Sequence, residues 1–268
     1  MAAPIHIQSR DNPLLVRVRR LAHDAAAYRK EGQLWLEGDH LCRALLARGG
    51  VPTQALVSAS GWQDDAVHDL AQAAPRIAVI PDALFAAISA LDSPPSMGFL
   101  APLPTAPALL PTAPSVVLDR LQDAGNVGSV LRSAAAFGFA QVLSLKGTAA
   151  LWSSKVLRAG MGAHFGLHLV EGLSSLDLAQ LKVPLLATSS HQGEWLPQAC
   201  LPWPCAWMLG HEGQGLGAEL MARAEMTVRI PQPGGEESLN VGSAAAVCFY
   251  ESVRQRLPLQ NSGRLVGQ

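Results

Sequence analysis

The 268-residue chain is short of charge, short of cysteine and without a long apolar run. Charged residues make up only 15%, too few for a solvated coiled coil or a disordered chain, whereas 49% are apolar, enough to fill a core. Its four cysteines, Cys42, Cys200, Cys205 and Cys248, contain no CxxC pair. That argues against a disulfide framework and against a thiolate metal site, and no metal is assigned. Ser, Gly, Pro or a charge interrupts each apolar run well before the roughly 18–20 residues a membrane span needs. The opening MAAPIHIQSRDNP has neither a basic leader nor an apolar stretch, so a cytoplasmic protein with no membrane partner is expected. A positive excess is missing too: 20 basic residues face 21 acidic ones, which counts against a broad phosphate-binding surface.

The near-zero total hides an asymmetry. Residues 1–48 carry +3 (8 basic, 5 acidic), residues 49–115 carry −4 (1 against 5), and residues 116–268 balance at 11 each. Sixteen of the 20 cations are arginine, whose planar fork of donors suits phosphate. Arg10, Arg17, Arg19, Arg20, Arg29 and Lys30 gather near the N-terminus, as candidate phosphate contacts or as an ordinary solvated helix face.

A stretch with five prolines and almost no charge, APLPTAPALLPTAPS, divides the chain. Residues 102–114 read as a semi-rigid Pro/Ala-rich linker between a small α/β domain at 1–101 and a larger one at 115–268. In the first, helical spacing over 14–28 precedes alternating elements: strands at QLWLEG, QALVSA, RIAVI and GFLAP, and helices at DHLCRALLAR, 64–73 and 82–90. In the second, strands are expected at 115–119, 141–145, 167–170, 184–188, 206–210 and 227–230, with helices between most of them and a last helix at 239–256. Such alternation implies an α/β fold with a mainly parallel sheet.

Three clusters could carry chemistry. The first follows the strand at 115–119: Asp119, Arg120, Asp123, Gly125, Asn126, Gly128 and Arg132. Glycines and Asn at a strand-to-helix turn suit a helix N-terminus that meets a ligand. Arg132 sits on an otherwise small and apolar helix, where a cation needs a partner, an aqueous cleft or a route to the surface. The second, LGHEGQGLG at 209–217, resembles a dinucleotide-binding glycine turn, with Glu236 and Glu237 about 20 residues on. Such turns normally end the first strand of a sheet, and here only one strand and one helix remain. The loop is better read as a pocket wall with glycines for close backbone approach, with Glu212 either functional or capping backbone N–H groups. In the third, IPQPGGEESLNVGSAAAVCFYE at 230–251, Ser238 and Asn240 stand before the last helix, each able to serve as an N-cap. The run Gly242-Ser243-Ala244-Ala245-Ala246 in that helix lets another backbone approach closely.

In this order, Asn126-x-Gly128-x-x-x-Arg132, Leu209-Gly210-x-Glu212-Gly213-x-Gly215 and Ile230-Pro231 through Ser238-Leu239-Asn240 resemble the motifs of the SpoU/TrmH family of RNA 2′-O-ribose methyltransferases, in the SPOUT superfamily. The N-terminal part is similar, more loosely, to that family's ribosomal-protein-like α/β substrate-binding domain, through Ser9-x-x-Asn12-Pro13, QLWLEG and Met97-Gly98-Phe99-Leu100-Ala101. The resemblance implies a trefoil knot in the C-terminal α/β domain, S-adenosylmethionine as cofactor, ribosomal or transfer RNA as substrate, and a homodimer placing Arg132 of one subunit near the cofactor of the other. It implies catalytic roles for Arg132, Asn126, Glu212, Ser238 and Asn240: Arg132 positions and activates the ribose hydroxyl, Asn126 and Glu212 orient Arg132 and the ribose, and Ser238 and Asn240 shape the same pocket. Cofactor contacts are implied at Thr188, Leu209, Gly210, Gly213, Gly215, Ile230 and Leu239. RNA contacts are expected from Arg10, Arg17, Arg19, Arg20, Arg29 and Lys30. His211 stands where many members have Asn, and either tunes the pH response or replaces the amide without consequence. His164 and His168, at i, i+4 spacing, read as structural. Two other readings compete: a non-catalytic RNA-binding protein retaining the fold, and a nucleotide-dependent oxidoreductase built on the glycine turn.

Overall fold

The structure, a computed structural model, describes residues 4–105, 107–234 and 238–257. The N-terminal part is built on strands β1 (Ile5–His6), β2 (Gln33–Glu37), β3 (Gln54–Ser58), β4 (Ile77–Ile80) and β5 (Met97–Pro102), in the order β1-β4-β3-β5-β2. β1, β4 and β3 run parallel, while β5 is antiparallel to both β3 and β2. Its helices are α1 (Pro13–His23), α2 (Ala27–Glu31), α3 (Asp39–Ala47), α4 (Asp65–Ala71) and α5 (Asp82–Ile88).

α1 begins where the Asn12 side chain accepts from the Leu14 amide at 2.9 Å, with Pro13 in the first turn. Leu15, Val18, Leu21 and Ala22 form its buried stripe, which leaves Arg17 and Arg20 outside. The single helix expected over 14–28 is in fact two. Asp24 is extended (φ −99°, ψ 114°) and its carboxylate accepts from the Ala26 amide at 2.9 Å, a local bond that competes with helix continuation before α2 restarts.

The C-terminal part contains β6 (Ser115–Leu118), α6 (Ala124–Ala136), β7 (Gln141–Leu145), α7 (Ser154–Gly160), β8 (His168–Leu173), β9 (Leu185–Thr188), β10 (Glu194–Trp195), β11 (Ala206–Leu209), α8 (Ala218–Arg223), β12 (Met226–Arg229) and α9 (Val241–Arg254). Seven strands pair in the order β10-β12-β9-β11-β6-β7-β8, every pair parallel. Apolar groups line both faces: Val116 and Leu118 join one buried cluster with Trp207 and Leu131, and Val117 joins another with Leu143 and Met208. Burial on both faces explains why these strands read as continuous apolar runs. β6 lies inside the sheet between β11 and β7, so the chain builds outward on one side and then crosses to the other. In open parallel sheets the crevice at such a reversal, beyond the carboxyl ends of the strands, is where ligands bind.

The two parts are joined by specific polar contacts. The Glu171 carboxylate on β8 accepts from Tyr28 Oη at 2.7 and 2.8 Å, from the Leu151 amide at 2.8 Å, and pairs with Arg29 at 3.2 Å. Burial and the neighbouring Glu171 charge together push the Tyr28 phenol well above its ordinary pKa. Arg158 on α7 reaches the buried Glu37 carboxylate at 3.7 Å, and the Ser154 hydroxyl donates to the Ala22 carbonyl at 3.1 Å. The proline-rich connection is fastened along its length. Leu103 donates to the Gly32 carbonyl (2.9 Å), Gln141 exchanges two bonds with the Leu110 backbone (3.0 and 2.6 Å), and Lys182 donates to the Pro111 carbonyl (2.8 Å). Among the described residues, no helix is long and apolar enough to cross a membrane.

Candidate active site

All three sequence clusters lie at the carboxyl ends of strands. Thr188, Leu209 and Arg229 end β9, β11 and β12, and β9 is the middle strand of the three, so Gly210 and Ile230 emerge beyond the ladder on either side of the end of β9. The loop that follows folds back on itself. A Cβ at Gly210 would collide with the backbone of Gly215 and Leu216, and Gly215 holds φ +67°, so both glycines are required by the backbone path. Gly213 and Gly215 are exposed.

His211 closes this loop. Its Nδ1 accepts from the Gly213 amide at 3.0 Å and from Gln214 at 3.3 Å, while its carbonyl accepts from the Gly215 amide at 2.8 Å. An Asn side-chain oxygen would accept in the same way, which explains how His stands in for Asn.

Glu212 fastens the loop to the first cluster. Its carboxylate accepts from the backbone amides of Asp123 (3.1 Å) and Gln122 (3.3 Å) and from Asn126 Nδ2 (3.2 Å). Partial burial would raise its pKa. The hydrogen bonds from its own backbone, Asn126, Asp123 and Gln122 outweigh that and hold it below the usual carboxylate value. Asp123 caps α6 by accepting from the Asn126 amide at 2.7 Å. Asn126 Oδ1 in turn accepts from Asn240 Nδ2 at 2.8 Å, and Asn240 Oδ1 caps α9 through the Gly242 and Ser243 amides at 2.9 and 3.3 Å. One chain of polar contacts, Glu212–Asn126–Asn240, therefore unites the three clusters.

Other residues singled out in the sequence stand apart from that chain. Arg132 is exposed on α6, and six residues at about 100° each turn it roughly 120° round the helix from Asn126. Ser238 and Leu239 are exposed beside Asn240, and Glu236 and Glu237 fall outside the described residues. Gly128 serves packing: a Cβ there would meet Ala159 and come within 2.7 Å of the Gly160 amide, so it permits the close α6–α7 contact. His164 is buried, its Nε2 sits 2.9 Å from the Leu151 carbonyl, and burial lowers its pKa to about 4. His168 Nε2 lies 2.6 Å from the Ala108 carbonyl. Both histidines therefore sit in backbone contacts away from the polar chain. Among the described residues no group of three or more His, Cys, Asp or Glu is arranged to hold a metal ion.

The N-terminal cations are partly neutralised. Glu31 pairs with Arg20 at 2.7 Å and Arg17 at 3.6 Å, Glu171 takes Arg29, and Arg10 lies 3.8 Å from Asp11. Arg19 and Lys30 are in none of the ion pairs among the described residues. Sequence reasoning overlooked Asp123 as the α6 cap, although an Asp three residues before Asn126 at a strand-to-helix turn is such a signal. It also gave no role to Glu171, whose partners are 20 or more residues away in sequence.

A family model described as the SpoU rRNA Methylase family matches residues 113–250. The chain is 32% identical to an uncharacterised tRNA/rRNA methyltransferase of Synechocystis sp., over 96% of each chain. It is 28% identical to the 23S rRNA (guanosine(2553)-2′-O)-methyltransferase RlmP of Bacillus subtilis, over 82% of this chain and 88% of that one. A crystal structure of an RNA 2′-O ribose methyltransferase superposes over 95% of this chain and 100% of the other, with 31% identity and a TM-score of 0.80. With the family model spanning half of the chain and a relative 32% identical along nearly all of it, the chain belongs to the SpoU rRNA methylase family.

Proposed function

We propose that this protein methylates a ribose 2′-hydroxyl of ribosomal or transfer RNA, using S-adenosylmethionine and acting as a homodimer. The observation that carries the reading is the Glu212–Asn126–Asn240 chain, which draws the three motifs to one edge of the sheet beside the ends of β9, β11 and β12. The residues there fit a nucleoside cofactor. Gly210 leaves no room for a side chain beneath the folded-back loop, Gly210 and Ile230 lie beyond the ladder and make no backbone–backbone hydrogen bond among the described residues outside the strands, and Leu239, 41% exposed, offers an adenine an apolar contact. Thr188, Leu209, Gly210, Gly213, Gly215, Ile230 and Leu239 would hold it. The cofactor supplies a methyl group already activated by its sulfonium, so the protein has to align the ribose and to stabilise the oxygen as it loses its proton.

Arg132 is assigned to the stabilisation of that oxygen: its guanidinium would donate to the 2′-oxygen and favour the developing negative charge, while the released proton passes to solvent water. Because it points away from its own Asn126, it serves the partner subunit's site. The exposed residues of α6 and α9 suit such an interface: Ser129 and Arg132 on one helix and Ser243, Val247 and Tyr250 on the other. Residues 1–101 are assigned to RNA binding, through Arg10, Arg17, Arg19, Arg20, Arg29 and Lys30, and residues 115–268 to methyl transfer. The trefoil-knot reading is supported by the strand order and by the return of α9 onto α6, where Gly242 approaches Ser129.

Calorimetry with S-adenosylmethionine and with NAD, together with ribose-methylation mapping of total RNA from cells with and without the gene, tests the proposal. Binding of S-adenosylmethionine and the loss of one or a few defined methylations are expected. No affinity for it would favour the non-catalytic RNA-binding reading, and preference for NAD the oxidoreductase one.

A further inference from the structure

Arg120, two residues beyond the end of β6, holds φ +58°, a left-handed backbone that a residue with a Cβ rarely adopts. Glycine would fit without strain, so the surroundings must hold the arginine. Its amide donates to Thr148 Oγ1 at 3.1 Å, and that hydroxyl donates to the Leu118 carbonyl at 3.0 Å. Its guanidinium grips the Asp119 carboxylate with two bonds of 3.0 Å, from Nε to Oδ1 and from Nη2 to Oδ2. Asp119 is only 5% exposed, and its Oδ2 also accepts from the Gly217 amide at 3.1 Å. Arg120 Nη1 further reaches Gln214 Oε1 at 3.4 Å.

We infer that Arg120 is a positioning residue for the cofactor loop at 210–217, its fork fixing the Asp119 carboxylate in the orientation that receives the Gly217 amide. The loop is then lashed at two places: Glu212 binds one limb to residues 122–126 and Asp119 binds the other to the end of β6. Gly213 and Gly215 span the interval, and glycines left unsupported lose the most on being ordered. A bidentate guanidinium holds a carboxylate in one plane, whereas an ammonium leaves it free to turn. Arg120 touches neither the polar chain nor Arg132, so its influence falls on cofactor affinity rather than on the transfer step. This inference rests on the cofactor reading given above.

The test compares the full-length wild type with Arg120→Gly, Arg120→Lys and Gln214→Ala. It reads S-adenosylmethionine affinity by calorimetry, kcat at saturating cofactor, RNA affinity and thermal midpoint. Arg120→Gly should weaken cofactor binding by about fivefold or more and leave RNA affinity and saturated kcat within about twofold. Arg120→Lys should recover only part of the loss, and Gln214→Ala, at an exposed position that cannot unfold the protein, should lose about twofold. Wild-type cofactor affinity in all three variants overturns the proposal. So does a Gly variant that loses RNA and cofactor together with a sharp fall in thermal midpoint, when Gln214→Ala binds normally. Absence of cofactor binding by the wild type itself would instead remove the functional reading, and this inference with it.

Discussion

Asn126 and Asn240 meet side chain to side chain at 2.8 Å although 114 residues separate them. The amide oxygen of Asn126 receives Asn240 while its nitrogen serves Glu212, so neither an acid nor a hydrocarbon can replace it. Asn126→Ala breaks both links, at a cost on the order of 1–3 kcal/mol, and should lower kcat/KM at least tenfold. Asn126→Asp sets a second carboxylate against Glu212. Its deficit should exceed that of Ala near neutral pH and shrink as the assay is made acidic enough to protonate the pair. Equal kcat/KM for Asp and Asn would show that the relay is idle.

Arg132→Ala should reduce methylation by at least about a hundredfold while S-adenosylmethionine affinity stays within about twofold. Because Arg132 is assigned to the partner's site, mixing Arg132→Ala with Asn126→Ala subunits should regenerate one intact site in each mixed dimer. Activity should recover to about a quarter of wild type. No recovery, in mixtures shown by mass to contain mixed dimers, would place Arg132 in its own subunit's site.

Gly128 belongs to the first motif, yet its surroundings are those of a packing residue. Gly128→Ala forces its methyl group against Ala159 and the Gly160 backbone and should destabilise the protein by roughly 1–3 kcal/mol. The thermal midpoint should fall, with cofactor affinity little changed in the protein that remains folded. A lost affinity at an unchanged midpoint would make Gly128 a ligand contact.

His211→Asn preserves an acceptor for the Gly213 and Gln214 amides. Rates should stay within about twofold and the pH–rate profile should keep its shape. A displaced profile would mean that the imidazole exchanges protons during turnover.

His164 gives stability a pH dependence of known sign. Burial lowers its folded pKa from 6.5 to about 4, so its contribution is complete above pH 6.5 and disappears as pH falls through the folded value, a loss of roughly 3 kcal/mol. His164→Gln retains a donor for the Leu151 carbonyl and carries no titrating ring, so denaturation midpoints between those pH values should decline less steeply than in wild type.

Most elements were legible from their apolar patterning: the buried stripe of α1 and the apolar runs of β6 and β9. The two-residue strands β1 and β10 are too short to show alternation, and the interruption at Asp24 depends on one side-chain bond that periodicity ignores. At the site, the sequence located Asn126, Glu212 and Asn240 by motif but not their mutual bonds, which follow from the order of strands that sequence spacing does not encode. The six N-terminal cations were visible as a group. The pairing of Arg29 with Glu171 was not, because Glu171 lies more than 140 residues away, nor was that of Arg17 and Arg20 with Glu31, which sits beyond the break between α1 and α2.

The proline-rich connection is fastened to both parts of the chain, and Glu171 and Glu37 add ion pairs between those parts. Two bodies joined by a slack tether surrender rotational freedom when a single ligand spans them, and that loss is subtracted from affinity. Here the surrender has been made during folding, so any ligand that spanned the N-terminal helices and the strand ends would meet a surface whose entropy of alignment is already spent.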